Sequence, residues 1–471
     1  MKREKLIQAL DQISDAHIAE AAAPRKKRKL LLLPAIAACA ALVLLLNIVE
    51  IPMVIAAETV SAPSDPRLYP RPEYGDYDNR EQWVAELDAW TAARDQRDAT
   101  TLEALGRASS FLKDSCRIFL TGSEENLLYS PANAYFGLAM AAELSAGSTR
   151  QQLLDALGAQ DITVLRSYAE AIWESAYYDD GGESCTLANS LWLDNELEFN
   201  QEIMDSIAYY HYASVYRKDL QSSSAAKSIQ AWLSNNTRGM LDSAVKSIEL
   251  PKEAILALYS TIYFQSKWQE EFRAANNTQD TFHAPNGDIT CTFMNQKLVQ
   301  MNYYWGESYG AVNMGLKNGS DMWFILPDPD KTVADVLSQG EYLDMIAARY
   351  GEWEKMQYMK VNLSVPKFNI QSQRDLRSGL EQMGITELFD LEHSDFSAAF
   401  SGPAHITGAN QAVRVEIDEQ GVKAAAYIEL PMAGAAAPPE EIIDFILDRP
   451  FLFVVADGTG IPLFAGTVNQ P

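Results

Sequence analysis

The stretch that decides the reading is Glu419-Gln420-Gly421-Val422-Lys423-Ala424-Ala425-Ala426-Tyr427-Ile428-Glu429-Leu430-Pro431-Met432, followed by Ala433-Gly434-Ala435-Ala436-Ala437. A strand that enters the middle of a half-buried sheet needs period-two alternation with one apolar face. Here Val422, Ala424, Ala426, Ile428, Leu430 and Met432 fall on one face, and Lys423, Ala425, Tyr427, Glu429 and Pro431 on the other. An ordinary surface loop would be filled with polar residues, and an apolar flexible linker is the competing reading. Pro431 lacks an N–H and sits poorly within a central strand, so it burdens the far end of the segment.

Outward from this stretch, Val413, Val415 and Ile417 alternate as a strand should, and Phe451 to Val455 is a buried apolar run. Further upstream, Met322 to Leu326 and the alternating Val361, Leu363 and Val365 predict two more strands. Leu105 to Leu120, Tyr135 to Leu144 and Ala226 to Leu241 read as helices. Helices crowd the first half and strands the second, without βαβ alternation or internal repeat. That distribution predicts an α+β fold with largely antiparallel sheets.

The chain has 471 residues, 47% of them hydrophobic, and a formal net charge of −26. Such an acid excess argues against a nucleic-acid binder, which needs a basic footprint for phosphates. Residues 1–29 run the other way, with eight Lys/Arg against four Asp/Glu, most of the excess in Arg25-Lys26-Lys27-Arg28-Lys29. Leu30 to Leu46 follows without a charge, and Ile48 and Val49 extend it past Asn47. At 1.5 Å per helical residue, about 20 residues cross a hydrocarbon core of about 30 Å. The basic cluster before it predicts a cytoplasmic head at 1–29, a signal-anchor at 30–49 and the rest outside the membrane. A secretory signal cleaved near Ala56 is the alternative. Leu6, Leu10, Ile13 and Ile18 suggest a short amphipathic helix in the head. Residues 50–98 read as a Pro-rich stalk ending in a helix marked by Trp83, Leu87 and Trp90, and 99–471 as the main domain.

Chemistry is mostly missing from the motifs. The five histidines form no H-E-x-x-H pair, and no nucleophile elbow, Walker loop or G-x-G-x-x-G occurs. Among 64 acidic residues any carboxylate pairing is unspecific. Cys116, Cys185 and Cys291 show no metal-ligand or redox spacing, so one disulfide and three free thiols both stay open. The expectation is no enzyme, no cofactor and no metal.

Several segments, read in order, resemble the serpin family. They include Asn126 to Pro131, Gly147-Ser148-Thr149, Asn189 to Leu193, Ile262-Tyr263-Phe264 with Trp268 and Phe272, and Pro366-Lys367-Phe368. The most specific part is the end: Glu419-Gln420-Gly421 leading into Ala424-Ala425-Ala426, then Asp448-Arg449-Pro450-Phe451 and Leu463 to Gly466. The resemblance spans about residues 100 to 471.

It implies an α+β domain with three sheets, about nine helices and an exposed reactive-centre loop between the Glu419 hinge and Phe445. In inhibitory members a serine or cysteine protease attacks that loop, and the cut loop inserts as an extra strand before the acyl-enzyme hydrolyses. Carried onto this sequence, the hinge is Glu419, Gly421, Val422, Ala424, Ala425 and Ala426. The scissile residue is Ala435, fourteen after Gly421, with Ala436 the nearest alternative. That run holds nothing larger than a methyl, so elastase-like or subtilisin-like serine proteases are the expected partners. A bacterial-type monomer is the expected form, with a non-inhibitory binding or adhesion module as the alternative. Val422 stands where many inhibitory members have Thr. In the polar cluster beneath the large sheet, Asn133, Ser260 and Gln411 replace the usual Ser, Asn and His. Each still donates and accepts hydrogen bonds, and Ser130, Asn133, Ser260 and Gln411 are expected to bond one another.

Overall fold

The computed structural model describes residues 55–63, 72, 75, 77, 79–242, 246, 248–251, 254–348, 353–422 and 441–471. The basic head, Leu30 to Val49, Pro431, the alanine hinge and both candidate scissile residues lie outside them. Among the described residues no helix is long and apolar enough to cross a membrane. The single-pass membrane reading is therefore corrected: the run on which it rested is outside the described part, and no described helix replaces it.

In chain order the first elements are β1 (Glu58–Ser61), α1 (Arg80–Arg107), α2 (Ser109–Phe119), β2 (Leu127–Tyr129) and α3 (Pro131–Leu144). Next come α4 (Gly147–Leu157), α5 (Ile162–Ala176), β3 (Tyr178–Asp179), β4 (Ser184–Leu193), α6 (Gln201–Tyr210), β5 (Ala213–Arg217), α7 (Ser223–Asn236) and β6 (Leu256–Lys267). The second half is mostly strand: β7 (Thr278–Ala284), β8 (Gly287–Trp305), β9 (Tyr309–Gly315) and β10 (Asp321–Pro327), then α8 (Val333–Gln339) and α9 (Glu341–Ala347). It ends with β11 (Met356–Pro366), β12 (Phe368–Asp375), α10 (Arg377–Gln382), β13 (Asn410–Ile417), β14 (Gly421–Val422), β15 (Ile442–Ile446), β16 (Phe451–Ala456) and β17 (Pro462–Val468).

These strands form two hydrogen-bonded sheets. One has eight strands in the order β1-β5-β4-β6-β14-β13-β12, with β3 on β4; the other has nine, β15-β11-β8-β9-β10-β16-β17-β2, with β7 on β8. The fold is α+β, as the element order predicts. Two of the three expected sheets join here because β8 pairs with β7, β11 and β9 along one continuous strand.

Helix α3 lies in the core, packed on β6 and β17. Its sequence is apolar apart from Asn133 near the head and Glu143 near the tail, and every residue but Gly137 is buried, as a fully enclosed helix requires. Ser130 caps it by accepting from the Asn133 N–H, and Pro131 fills the first turn, where a missing N–H costs nothing. On the opposite face of the large sheet, Trp232 and Leu233 of α7 pack against Trp192 of β4.

Local differences from the sequence reading have simple causes. The helix read from Leu105 to Leu120 is two helices meeting at Ala108. In α1 the buried face begins only at Thr101, so Trp83 and Trp90 are half-exposed. Within the stretch read as an extended stalk, Glu58–Ser61 is an edge strand antiparallel to β5. Cys116 and Cys185 are buried free thiols and Cys291 is half-buried and free. Burial pushes Cys116 up to about 12, so it carries no thiolate at neutral pH.

Candidate functional site

The site is the strand position between β6 and β13. β13 leaves the sheet at Ile417, turns through Asp418-Glu419-Gln420 and returns as β14, where Val422 pairs with Ile417 on one side and Ser266 on the other. Gly421 opposite Lys267 is required by contact: a Cβ there would stand 2.3 Å from the Ser266 carbonyl oxygen. Among the described residues, Gly421 and Val422 are the whole of the bridge. Among the described residues, β6 below them pairs only with β4, from Leu256 to Gln265, and β13 only with β12. Among the described residues each of these strands thus keeps one edge without a strand partner there, and an unpaired edge can template a further strand.

The hinge turn is held from three sides. Trp268 donates its indole N–H to the Asp418 carbonyl at 2.9 Å and its backbone N–H to Gln420 at 3.1 Å. The Phe272 N–H donates to the Glu419 carbonyl at 3.0 Å. The Glu419 carboxylate meets Lys367 Nζ at 2.6 Å and accepts from the Asn277 amide. Burial alone would raise that carboxyl, but the Lys367 and Asn277 contacts outweigh it and hold it below the usual carboxylate range.

At the lower end the four polar residues singled out from the sequence come together under the slot. Gln411 Oε1 accepts from the Ser130 N–H at 2.8 Å, and Gln411 Nε2 donates to the Ser130 carbonyl at 2.9 Å. Ser130 Oγ donates to the Leu463 carbonyl at 2.6 Å and accepts from the Asn133 N–H at 3.3 Å. Ser260 Oγ donates to Asn133 Oδ1 at 3.1 Å. Each edge is therefore tied to the head of α3, β13 through Gln411 and β6 through Ser260, and among the described residues no strand pairing joins the two edges here. A cavity of about 110 Å3 lies at this end, lined among others by Asn133, Gly137, Leu258, Ser260, Leu380 and Gln411.

The tail of the same helix is fixed by charge. Glu143 is fully buried and receives the Arg166 guanidinium through Nε at 3.0 Å and through Nη2, with His211 Nε2 3.7 Å away. Burial would raise the Glu143 carboxyl, but His211 and Arg166 reverse this and hold it at about 2.

Of the residues expected at the site, Glu419, Gly421 and Val422 stand at the hinge and Ser130, Asn133, Ser260 and Gln411 beneath it. Ala424, Ala425, Ala426, Ala435 and Ala436 lie outside the described residues. The reading missed the partners that hold the turn, Trp268, Asn277 and Lys367. Lys367 had a signal: it is a lone cation between Pro366 and Phe368, with Glu419 the acid beside the hinge.

A family model described as Serpin (serine protease inhibitor) matches residues 115–471. Serine protease inhibitor 2 of Anopheles gambiae is 28% identical over 372 residues, covering 76% of this chain and 85% of the relative. Human neuroserpin is 26% identical over 380 residues, covering 75% and 88%. The crystal structure of a thermophilic serpin, tengpin, in the native state superposes with a TM-score of 0.68 at 25% identity, covering 78% of this chain and 93% of that one.

Proposed function

The chain belongs to the serpin family, and from that premise we propose that it inhibits serine proteases as a suicide substrate, with its cleaved loop entering the large sheet between β6 and β13. The observation that carries this reading is the pair of facing edges below Val422, set against the apolar alternation of the chain that follows.

Continuing the register of Gly421–Lys267 and Val422–Ser266 down β6, and of Val422–Ile417 down β13, assigns each later residue a place. Ala424 would stand between Phe264 and Val415, and Ala426 between Ile262 and Val413. Ile428 would stand between Ser260 and Gln411, and Leu430 between Leu258 and Ala409. The apolar face is thereby delivered to the buried side of the sheet, where Phe264, Val413 and Val415 already lie. Pro431 would fall opposite Gly408, past the Asn410 end of β13. Its missing N–H then costs no bond to that strand, which favours inhibition over a purely binding role.

The proposed scissile residue is Ala435, or Ala436. An alanine fills a small elastase-like pocket, whereas the buried aspartate of a trypsin-like pocket would be left without its cation. Discrimination against trypsin is expected to be on the order of several kcal/mol. The test is incubation of the full chain with elastase and with trypsin, followed by a denaturing gel. A covalent band that survives SDS with elastase supports the reading; clean cleavage without such a band overturns it. Ala435→Arg is expected to move trapping toward trypsin and away from elastase.

A further inference from the structure

Apolar alternation fits the segment after Val422 to the place between β6 and β13, but alternation alone leaves the register open. It repeats every two residues. The apolar face is served equally well if two residues loop out after Val422 and the rest pairs two places nearer the hinge. Only the outward face of the sheet can tell these two registers apart.

On β13 that face carries Ala412, Arg414 and Glu416, half-buried, alternating with the buried Val413, Val415 and Ile417. On β6 it carries Tyr263 and Gln265, whose side chains share a side because the Tyr263 hydroxyl donates to Gln265 Oε1. Charge changes sign over a single step along this face. Glu416 and Gln265 stand at the level next to the bridge, and Arg414 and Tyr263 at the level after it. The Tyr263 ring also carries the Arg238 guanidinium, 4.7 Å from its centroid. Glu416 accepts from Arg414 Nη2 at 3.2 Å, and Arg414 donates through Nε to Asn369 at 3.1 Å.

The chain that follows the bridge offers one cation at the matching place. Lys423 comes directly after Val422, and one further step of the Val422–Ile417 and Val422–Ser266 register would put it between Glu416 and Gln265. Directly opposed residues have Cβ atoms about 4.5–5.5 Å apart, within reach of a lysine for a carboxylate. Ala425 would then fall between Arg414 and Tyr263, where a methyl adds no further cation and leaves both guanidinium groups their room. In the looped-out register Ala425 would meet Glu416 instead, and the bulky Tyr427 would be driven between Arg414 and Tyr263. Charge order thus selects the register that alternation leaves open.

We infer that Glu416 is a positioning residue for the entering strand: it receives Lys423 from across the strand gap and so makes the first charged pair of insertion. This rests on the suicide-substrate reading and names a residue within it. In that reaction the protease stays trapped only when insertion outruns hydrolysis of the acyl bond. A pair formed one residue past the bridge acts on the race from its start, before the apolar face further down is engaged.

The test titrates elastase with the full chain and reads how many inhibitor chains are consumed for each protease trapped. Glu416→Lys and Lys423→Glu each set like charges face to face, and each should raise that number about threefold. Combining the two restores opposite signs and should return the number to the wild-type value. A purely structural role of Glu416, exerted through Arg414, would gain nothing from the change at residue 423. Lys423→Glu leaves β13 untouched, so it carries the test alone if Glu416→Lys fails to fold. After loop cleavage this variant should melt below the cleaved wild type, by a margin that shrinks in concentrated salt. If the wild type traps elastase but Lys423→Glu matches it in both measurements, or a folded double variant fails to recover trapping, the role of Glu416 is overturned. If the wild type gives no SDS-resistant complex, the suicide-substrate reading itself falls and takes this role with it.

Discussion

The two sheets of this molecule are built from similar strands to different states of completion. In the nine-stranded sheet, β16 is paired along its length with β10 on one side and β17 on the other, and every residue of β16 and β17 is buried. In the eight-stranded sheet, the comparably central β6 and β13 are joined, among the described residues, through two residues of β14. One sheet is finished on folding. The other has, among the described residues, strands β6 and β13 each with an edge unpaired below Val422, the place where the proposed insertion would add a strand. Sequence already separates the strands: β16 is an unbroken apolar run buried on both faces, whereas β13 alternates and buries one face only. The connectivity also differs: β16 and β17 follow one another through a short turn, while under the proposed mechanism the strand between β6 and β13 would come from the segment after Val422 once it is cut.

The largest test of this contrast is the loop-cleaved protein. A single cut between Leu430 and Ala437 should raise the melting temperature by on the order of 10 °C or more, because a strand with a buried face is added. An unchanged melting curve would erase the distinction between the sheets. Ala424→Arg places a charge on the buried face, so cleavage should continue while both the rise in melting temperature and protease trapping are lost.

In the finished sheet, Phe453→Ala should cost about 3–5 kcal/mol, since this ring is fully buried against Phe368. Denaturant titration should show the same loss in intact and cleaved protein. A loss confined to one form would mean that the two sheets are not independent.

Glu143→Gln tests the frame beneath the unfinished sheet. A carboxyl held at about 2 in the folded chain, against an ordinary 4.5, contributes about 3 kcal/mol above pH 4.5. A lowered folded-state value means that this stability is present above the unfolded pKa and is lost as pH falls through the folded one. The wild type should therefore weaken between about pH 4.5 and pH 2, and the variant should begin lower and slope less across that window. Equal slopes would remove the Arg166–Glu143 pair as an anchor of α3.

The smallest effect is expected at Gln411→Leu. It strands the buried Ser130 N–H, at about 1–3 kcal/mol, in the intact form, while the Ser130 carbonyl keeps the Ala134 N–H. Because it loosens one lip only, it should also speed the transition that follows cleavage, read by stopped-flow fluorescence. An equal destabilisation of intact and cleaved forms would place Gln411 outside the slot's control.

Legibility from sequence followed the range of the interactions. The alternating Val413-Val415-Ile417 and the continuous apolar run Phe451 to Val455 mark strands because burial acts on neighbours in the chain, while Gly421 was placed at the hinge through the family resemblance. The four-residue polar cluster was reached only through family resemblance, since Ser130, Asn133, Ser260 and Gln411 share no local pattern. Trp268, Asn277 and Lys367 escaped because what matters about them is which carbonyl or carboxylate they meet across the fold. β1 was hidden for another reason. Glu58-Thr59-Val60-Ser61 has one apolar residue, and an edge strand earns its place through backbone bonds to β5 rather than through side chains.

The two-residue bridge at Gly421 and Val422 also fixes a concentration. If the proposed insertion holds, a segment tethered where its groove begins would meet that groove at a local level in the millimolar range, whatever the amount of protein in solution. A free peptide, or the corresponding segment of another copy, competes only when it approaches that level. Dilute protein should therefore fill the slot from within, and crowded protein is where one molecule's strand would enter the next.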